Sequence, residues 1–436
     1  MPAPRKSGAR EERIALVLAG GGARGAYEAG VLSALAPALS AHGQSPDVII
    51  GTSIGALNGS FFAARAHEPL QDAAEAALSM WRRLRWGDAL RPLASPSELR
   101  RLIGAGAMLA GLPGAGLPGL LDSSPLRGTL QRVVSFEQIA RNVASGALST
   151  AAVVATDYAS TRSVVFHHGG PEPGLDALHA IDYFATRLAP EHVLASAAIP
   201  GAFPAVQISR PRAAAGWYGD GGVRLNAPLA PALALGADRV VVIGLNSSVT
   251  HARDGWRPDA IDGIAALLQV VLADQLAGDV GVLAAVNETL TPPRSSGGQA
   301  PASARRTPAS RGARRRIPYI FIAPADRLEI GRLAREIYRR HYAGITSLVR
   351  DTNLALFGRI VNAERSAIHG ELLSYLFLAG EFIEALIALG RRDGDSWLAA
   401  RHDAGMWQIG RLPLPSPTPG ATAGAPGRRA PRRPAS

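Results

Sequence analysis

A serine that could act as a nucleophile lies in residues 51–55, which read Gly-Thr-Ser-Ile-Gly. An apolar run precedes this segment and a helix-like stretch follows it. A strand, a G-x-S-x-G pentapeptide and a helix form the context in which a serine hydroxyl is exposed at a sharp turn. The small residues Gly51 and Gly55 allow that turn. The N-terminus of the next helix favours negative charge that develops beside Ser53.

A glycine-rich loop, Gly20-Gly21-Gly22-Ala23-Arg24-Gly25, follows the first apolar run of the chain. Because glycine has no side chain, backbone N–H groups of such a loop can converge on an anion at a helix N-terminus. One use is an oxyanion hole for a nucleophile on the next strand. The other is a cradle for a dinucleotide pyrophosphate, since Gly20, Gly22 and Gly25 also satisfy G-x-G-x-x-G. That second use expects an acidic residue after the second strand, whereas Asp47 stands before it.

A candidate base lies much later, in the segment Gly219-Asp220-Gly221-Gly222. Asp-Gly-Gly is a common turn, so the segment alone does not indicate a site. In a chain that also carries a nucleophile and an anion-binding loop, Asp220 becomes the candidate that accepts the serine proton.

The conventional alternative is a Ser-His-Asp triad, for which ten histidines are available. The adjacent pair His167 and His168 marks the end of a predicted strand, and His192 lies on a helix-like stretch, so we expect structural roles for all three. The sequence has no cysteine and no H-E-x-x-H pattern. Thiol catalysis and disulfides are therefore excluded, and no metal site or cofactor is expected.

The elements that must position these residues are predicted from apolar runs and helical spacing. At 436 residues with 47% hydrophobic content, the chain can form one large α/β domain and a smaller helical appendage. Strands alternate with helical stretches, which favours a mostly parallel central sheet covered by helices. Strands are predicted at 14–18, 48–51, 151–156, 163–167, 240–245 and 317–322. Helices are predicted at 26–40, 55–66, 70–84, 258–288, 325–340, 344–364 and 366–389.

The three motifs, in this order, resemble those of the patatin-like phospholipase family. That family has a G-G-G-x-R-G loop, a G-x-S-x-G elbow and a D-G-G loop, and the segments 155–157 and 195–204 also resemble family segments. The resemblance covers residues 13–245 and a last strand at 317–322. One departure is Ala19, where the family often has Asp. The resemblance implies a three-layer patatin-like fold.

It also implies a Ser–Asp dyad in which Ser53 attacks an ester carbonyl and Asp220 takes its proton and later activates water. The substrate would be a lipid or phospholipid, cleaved through an acyl-enzyme by a phospholipase A or lysophospholipase reaction. The implied oxyanion-hole residues are Gly20, Gly21, Gly22, Arg24 and Gly25, and the implied motif-supporting residues are Gly51, Gly55, Gly221 and Gly222. Three interpretations of Arg24 stay open: it steadies the loop, it attracts an anionic head group, or it is an ion-paired residue at the turn. Acyl transfer to another alcohol and a catalytically silent lipid-binding membrane adaptor also stay open.

Arginine is concentrated in two segments. Residues 294–316 hold seven arginines and no acid, and residues 428–433 hold four more, which together equal the net charge of +11. These segments suit an anionic membrane surface, although they are also typical of solvated linkers. Nucleic acid would attract the same charge, but no aromatic residues are interleaved with the arginines, so specific nucleic-acid binding is not expected.

Composition also divides the chain. We expect a basic tail at 1–12, a hydrolase domain at 13–325 with a disordered insertion at 292–316, a helical region at 326–410 and a disordered tail at 411–436.

The uncharged stretch 102–121 contains six glycines and two prolines, which argues against a membrane span. No cleavable leader is evident. The expected location is the cytoplasm, and peripheral contact with the inner membrane surface stays open. Oligomeric state is not assigned.

Overall fold

The computed structural model describes residues 12–109, 119–174, 176–177, 179–245, 276–290, 315–326, 328–344, 347–401 and 405–411. The tail predicted at 1–12, the insertion at 292–316 and the tail at 411–436 fall almost wholly outside these ranges. The first part of the helix predicted at 258–288 lies outside them as well, and so does much of the stretch 102–121.

The described residues form nine strands that belong to one sheet. Their bounds are β1 Ile14–Leu18, β2 Val48–Thr52, β3 Thr150–Asp157, β4 Ser163–Gly169, β5 Ile181–Ala185, β6 Val206–Ile208, β7 Gly216–Asp220, β8 Arg239–Ile243 and β9 Tyr319–Ile322. β1 and β2 are buried along their whole lengths, as their unbroken apolar sequences predict for central parallel strands.

The order of the strands across the sheet is β5-β4-β3-β2-β1-β8-β9. β3, β2, β1, β8 and β9 run parallel to one another, whereas β4 is antiparallel to β3. β7 pairs antiparallel with the far end of β3 and with β6. This mixed, mostly parallel sheet with flanking helices confirms the predicted fold class.

The topology brings two distant segments together. The first half of β3 pairs with β2, with Gly51 opposite Val153, and the end of β3 pairs with β7, with Ala155 opposite Asp220. Because β2 and β7 lie against the same strand, the residue that follows β2 lies close to the residue that ends β7.

Fifteen helices lie within the described residues. They are α1 Gly25–Ala41, α2 Ile54–Ala64, α3 Leu70–Arg83, α4 Trp86–Ala89, α5 Pro96–Leu109, α6 Ser124–Val133, α7 Phe136–Ser145, α8 Pro190–Ser196, α9 Leu229–Ala234, α10 Leu276–Thr289, α11 Glu329–His341, α12 Ser347–Arg350, α13 Thr352–Ile360, α14 Ala367–Ser374 and α15 Gly380–Ala399. α2 packs on β1, β2 and β3, and α1 packs against α15 and α3.

Two helices predicted in the C-terminal region are each broken in the structure. The one predicted at 344–364 is divided between α12 and α13, because the Asp351 side chain accepts the N–H groups of Asn353 and Leu354 and caps a new helix. The one predicted at 366–389 is divided between α14 and α15. Its break begins at Tyr375, whose carbonyl accepts a hydrogen bond from Ala23 on the glycine-rich loop.

The helices of the C-terminal region pack tightly on the sheet domain. A side chain at Gly30 of α1 would collide with the backbone of Ile387, and one at Gly390 of α15 would collide with the backbone of Tyr27. The axes of α1 and α15 can therefore come close together. In the part of the chain that the structure describes, no helix has both the length and the apolar character required to cross a membrane.

Candidate active site

The turn after β2 holds Ser53 in an unusual backbone conformation, with φ 53° and ψ −120°. Positive φ is uncommon for residues other than glycine and costs on the order of 1–3 kcal/mol. The flanking glycines allow the turn to pass close to its neighbours. A Cβ on Gly51 would collide with the backbone of Gly55, and a Cβ on Gly55 would collide with the backbone of Leu18.

The hydroxyl of Ser53 donates a hydrogen bond of 2.6 Å to Oδ2 of Asp220. Both side chains are buried. Oδ1 of the same carboxyl accepts the N–H of Gly222 at 2.7 Å. The backbone N–H of Asp220 donates to the carbonyl of Ala198 at 2.8 Å. The carboxyl is therefore held in one orientation, with one oxygen on the backbone and the other on the serine.

Burial changes the acidity of this carboxyl. It raises the pKa of Asp220 to about 7, and the hydrogen bonds from Ser53 and Gly222 offset part of that effect. Desolvation disfavours the charged form of an acid, which is why the pKa rises. A carboxylate whose conjugate acid has a pKa near 7 is a stronger base than an ordinary aspartate and is still about half ionised at neutral pH.

A second serine anchors the turn. The backbone N–H of Ser53 donates to Oγ of Ser196 at 2.8 Å, and that hydroxyl donates in turn to the carbonyl of Val154 at 2.5 Å. Ser196 thus connects the turn to β3. Ser196 lies in the segment 195–204 that resembles the family, but this contact could not be predicted, because a serine in a helix carries no signal of its partner.

The glycine-rich loop offers fewer available donors than its sequence suggests. The N–H of Gly20 is shared between the carbonyl and Oδ1 of Asn226, at 3.2 and 3.1 Å. The N–H of Ala23 donates to the carbonyl of Tyr375 at 2.8 Å. Within the described residues, no group accepts from the N–H of Gly21 or Gly22. Gly22 has φ +62° and borders the cavity beside Ser53.

One further backbone donor, the N–H of Ile54, was not predicted from the sequence. Ile54 is the first residue of α2, and its N–H has no intrahelical acceptor. The same residue borders the cavity next to Ser53. Gly25 lies at the start of α1, where a Cβ would collide with the side chains of Ile54 and Trp81. The absence of a side chain at Gly25 therefore lets the loop pack on α2 and α3.

Arg24 is almost completely buried, with 1% of its surface exposed. Its Nη2 lies 2.6 Å from Oε2 of Glu371 and 2.9 Å from the Glu371 carbonyl, and its Nε donates to Oγ of Ser374 at 2.8 Å. The guanidinium carbon also lies 4.1 Å from the centre of the Tyr375 ring. Of the three interpretations that the sequence allowed, the geometry matches an ion-paired arginine that steadies the loop.

The residues considered for the alternative sites lie in other contacts. His167 is hydrogen-bonded to the carbonyl of Gly169, and His192 contacts Ala189 and the carbonyl of Arg210. None of the hydrogen bonds in the described residues joins a histidine to Ser53 or Asp220. Asp47, the acid considered for a ribose, accepts the N–H of Ile14 at the start of β1. No group of three potential metal ligands occurs in the described ranges.

An apolar cavity opens beside the Ser53 hydroxyl. Its volume is about 760 Å³ when space open to solvent is included. The apolar side chains that line it include Leu57, Trp81, Leu84, Leu90, Val133 and Phe203. A hydrocarbon chain fits such a lining because its burial is favourable by about 0.8 kcal/mol for each CH₂ group.

Comparison with known proteins identifies a family. The model of the patatin-like phospholipase family matches residues 16–233, which include the glycine-rich loop, Ser53 and Asp220. Among solved structures, the crystal structure of VipD from Legionella pneumophila is similar to this chain at 14% sequence identity with a TM-score of 0.26. That similarity covers 65% of this chain and 56% of that chain. No curated protein sequence matches.

Proposed function

The chain belongs to the patatin-like phospholipase family, and we propose that it is a serine hydrolase that cleaves carboxylic esters of lipids. The observation that carries the proposal is the 2.6 Å hydrogen bond from Ser53 to Asp220 at the edge of an apolar cavity. The hydroxyl of a strained turn, a buried carboxylate and an apolar cavity meet at this point.

In the proposed acylation, Asp220 accepts the proton of Ser53 while Oγ attacks the ester carbonyl. The carbonyl oxygen becomes negatively charged in the tetrahedral intermediate and accepts hydrogen bonds from the N–H groups of Gly21, Gly22 and Ile54. The C–O bond to the alcohol then breaks, and the alcohol leaves with the proton held by Asp220. The acyl group remains as an ester of Ser53.

In the deacylation, a water molecule takes the place of the alcohol. Asp220 accepts a proton from it as its oxygen attacks the acyl-Ser53 carbonyl, and the same N–H groups stabilise the second intermediate. The bond to Ser53 Oγ then breaks, the serine recovers its proton from Asp220, and the fatty acid leaves.

The arrangement supports this chemistry in two ways. The raised pKa of Asp220 reduces the mismatch between a carboxylate base and a hydroxyl donor. Each properly directed backbone donor contributes about 100- to 1000-fold to the rate of reactions of this type. The apolar lining favours the acyl chain of the substrate over its head group, so we infer lipid or phospholipid esters as the substrate class.

Contact with an anionic membrane surface stays a prediction. The arginine-rich segments that motivate it lie almost wholly outside the described residues, which include Arg315 and Arg316. The cytoplasmic side of a membrane likewise stays the expected location.

The test is labelling with a fluorophosphonate probe, followed by mass spectrometry to locate the adduct. Wild type should be labelled on Ser53, whereas Ser53→Ala and Asp220→Asn should lose the label. Matched controls are Ser60→Ala and Asp157→Asn. Ser60 is a buried serine on α2, the helix that follows Ser53, and the Asp157 side chain bonds its own loop. Both controls should be labelled like wild type.

Incubation of unlabelled wild type with phospholipids and neutral esters then defines the reaction. Release of free fatty acid that requires Ser53 supports hydrolysis. Transfer of the acyl group to an added alcohol, with little release of free acid, would show that the reaction is acyl transfer and not hydrolysis. Lipid binding by a folded protein that the probe never labels would refute the proposed enzyme and indicate a catalytically silent lipid-binding adaptor.

A further inference from the structure

The C-terminal region reaches the glycine-rich loop directly, although the match to the family model ends at residue 233. We propose that Glu371, Ser374 and Tyr375 are positioning residues that hold the oxyanion donors of Gly21 and Gly22 in place. The C-terminal helical region is then part of the catalytic unit. This inference rests on the proposed function for the role of those donors, but the contacts that carry it do not depend on that role.

The first contact is made by the backbone. The carbonyl of Tyr375 accepts the N–H of Ala23, which is the next residue after Gly22. A Cβ on Gly22 would collide with that same carbonyl, so the loop and Tyr375 are in close contact. Since the Ala23 N–H is bound to the Tyr375 carbonyl, it is not available to an oxyanion, whereas the donors on its N-terminal side are.

The second contact is the buried arginine that follows Ala23. The Arg24 guanidinium bonds the carboxylate and carbonyl of Glu371 and the hydroxyl of Ser374, and it stacks on the Tyr375 ring. The Ser374 hydroxyl also donates to the Glu371 carbonyl at 2.6 Å. With its hydrogen used in that bond, the Ser374 oxygen accepts from the guanidinium of Arg24. A planar guanidinium with several fixed acceptors has little freedom to rotate, so the backbone that carries it is fixed as well.

The carboxylate of Glu371 is itself held in place. Oε2 accepts from Arg24, and Oε1 accepts the N–H of Gly331 on α11 at 2.6 Å. Glu371 is 3% exposed. Removing one partner of a buried ion pair leaves a poorly compensated charge, which favours rearrangement of the surrounding backbone. At this site the backbone that would rearrange is the loop that carries Gly21 and Gly22.

The same segment borders the cavity. Tyr375, Leu376 and Leu378 line it together with Ser53 and Gly22. The break between α14 and α15 therefore has two effects: it supplies the carbonyl that binds the loop, and it places two leucines against the acyl-chain space. An uninterrupted helix would use the Tyr375 carbonyl for its own hydrogen bonding.

The experiment compares Glu371→Gln and Ser374→Ala with Glu381→Gln in the full chain. Glu381 belongs to the same region, where it bonds the Tyr342 hydroxyl and pairs with Arg350 without touching the glycine-rich loop. Three quantities are measured: kcat and KM on a soluble short-chain ester, the rate of fluorophosphonate labelling, and hydrogen exchange of the peptide that contains residues 21–25.

For Glu371→Gln we expect kcat to fall by about 10- to 100-fold with little change in KM, because a donor displaced by about 1 Å can cost about 100-fold in rate. The labelling rate should fall in proportion, and exchange in residues 21–25 should accelerate. Ser374→Ala should show the same pattern to a smaller degree, and it decides the question if Glu371→Gln does not fold. Glu381→Gln should retain the wild-type kcat and exchange.

The inference is overturned if the two loop-contacting variants fold and keep both kcat and exchange at wild-type values. It is also overturned if Glu381→Gln loses kcat as much as Glu371→Gln, since the effect would then be general loosening. A wild type that is neither labelled nor active would instead refute the proposed function. Hydrogen exchange would in that case still decide whether the C-terminal region holds the loop.

Discussion

Ester cleavage should depend on pH through the carboxyl of Asp220. Burial raises the pKa of this group to about 7, and only the ionised form can accept the proton of Ser53. The value of kcat/KM should therefore rise with pH and level off above the pKa. No cation is among the groups that shift the pKa of Asp220. Burial and the charge of Asp220 raise the pKa of the nearby Tyr158, so the tyrosine titrates at higher pH than the carboxyl.

The size of the effect follows from the ionised fraction. With a pKa of about 7, about 1% of the carboxyl is ionised at pH 5 and about 90% at pH 8, so kcat/KM should increase about 90-fold. An aspartate with the unperturbed pKa of about 3.9 is already more than about 90% ionised at pH 5, and the same change of pH would then raise the rate by about a tenth at most.

Stability changes in the opposite direction, which separates the two effects. The folded-state pKa lies above the ordinary value of 3.8. Between about pH 4 and pH 7 the folded protein therefore holds a proton that the unfolded chain has released. The contribution of Asp220 to stability is thus greatest at low pH and is lost as the pH rises through about 7. Low activity at pH 5 would not result from unfolding caused by this group.

The assay uses a soluble ester below its micelle concentration from pH 5 to pH 9 at constant ionic strength, with the uncatalysed rate subtracted. Thermal unfolding at each pH checks that the protein stays folded. As a control, His192→Gln should show the same apparent pKa, because His192 contacts neither Ser53 nor Asp220. A rate that stays level between pH 5 and pH 8, or an apparent pKa that disappears in His192→Gln, would refute the assignment of Asp220 as the base.

Three other predictions follow from the same geometry. Gly22→Ala should lower kcat by about 100-fold or more, because the new side chain displaces the backbone donors of the loop. Gly43 has a similar φ of +65° with open space around it, so Gly43→Ala should keep the wild-type kcat, and equal kcat values in the two variants would contradict the steric argument. Ser196→Ala leaves the buried N–H of Ser53 without its acceptor, so it should lower the free energy of unfolding by about 1–3 kcal/mol and also lower kcat. Thermal unfolding and steady-state kinetics measure both effects against the control Ser60→Ala, and an unchanged Tm would contradict the prediction. Leu90→Trp should shift the preferred acyl chain toward shorter lengths, because the side chain lines the cavity; a chain-length profile identical to that of wild type would place the acyl group elsewhere.

The residues that could be predicted from sequence are those whose chemistry restricts the residue type. The proposed nucleophile and base, Ser53 and Asp220, could be identified because few side chains can do that work, and the glycines around them are required by close backbone contacts. The buried strands β1, β2 and β8 were predictable as well, since their unbroken apolar runs suit the interior of a parallel sheet. The family match confirms the resemblance on which the fold prediction depended.

The contacts that could not be predicted are those in which any residue could take part. The bond from Ala23 to Tyr375 uses a backbone carbonyl, which every residue has, so its position leaves no mark in the sequence. Glu371 and Ser374 are ordinary helix residues until the fold places them beside Arg24. The strands β5, β6 and β7 were missed for another reason. None of them is an unbroken apolar run, and three to five residues give too little alternation to identify a strand in any other way.

The ion pair between Arg24 and Glu371 joins positions that are 347 residues apart in the chain. During synthesis at about 5–20 residues per second, roughly 17–70 s separate the appearance of the two partners. Through that interval the growing chain gains Ser53 and then Asp220, yet the loop beside them lacks its C-terminal support. A ribosome-bound intermediate would thus hold the glycine-rich loop less firmly than the complete chain does, and the proposed hydrolysis would reach its full rate only when folding reaches α14.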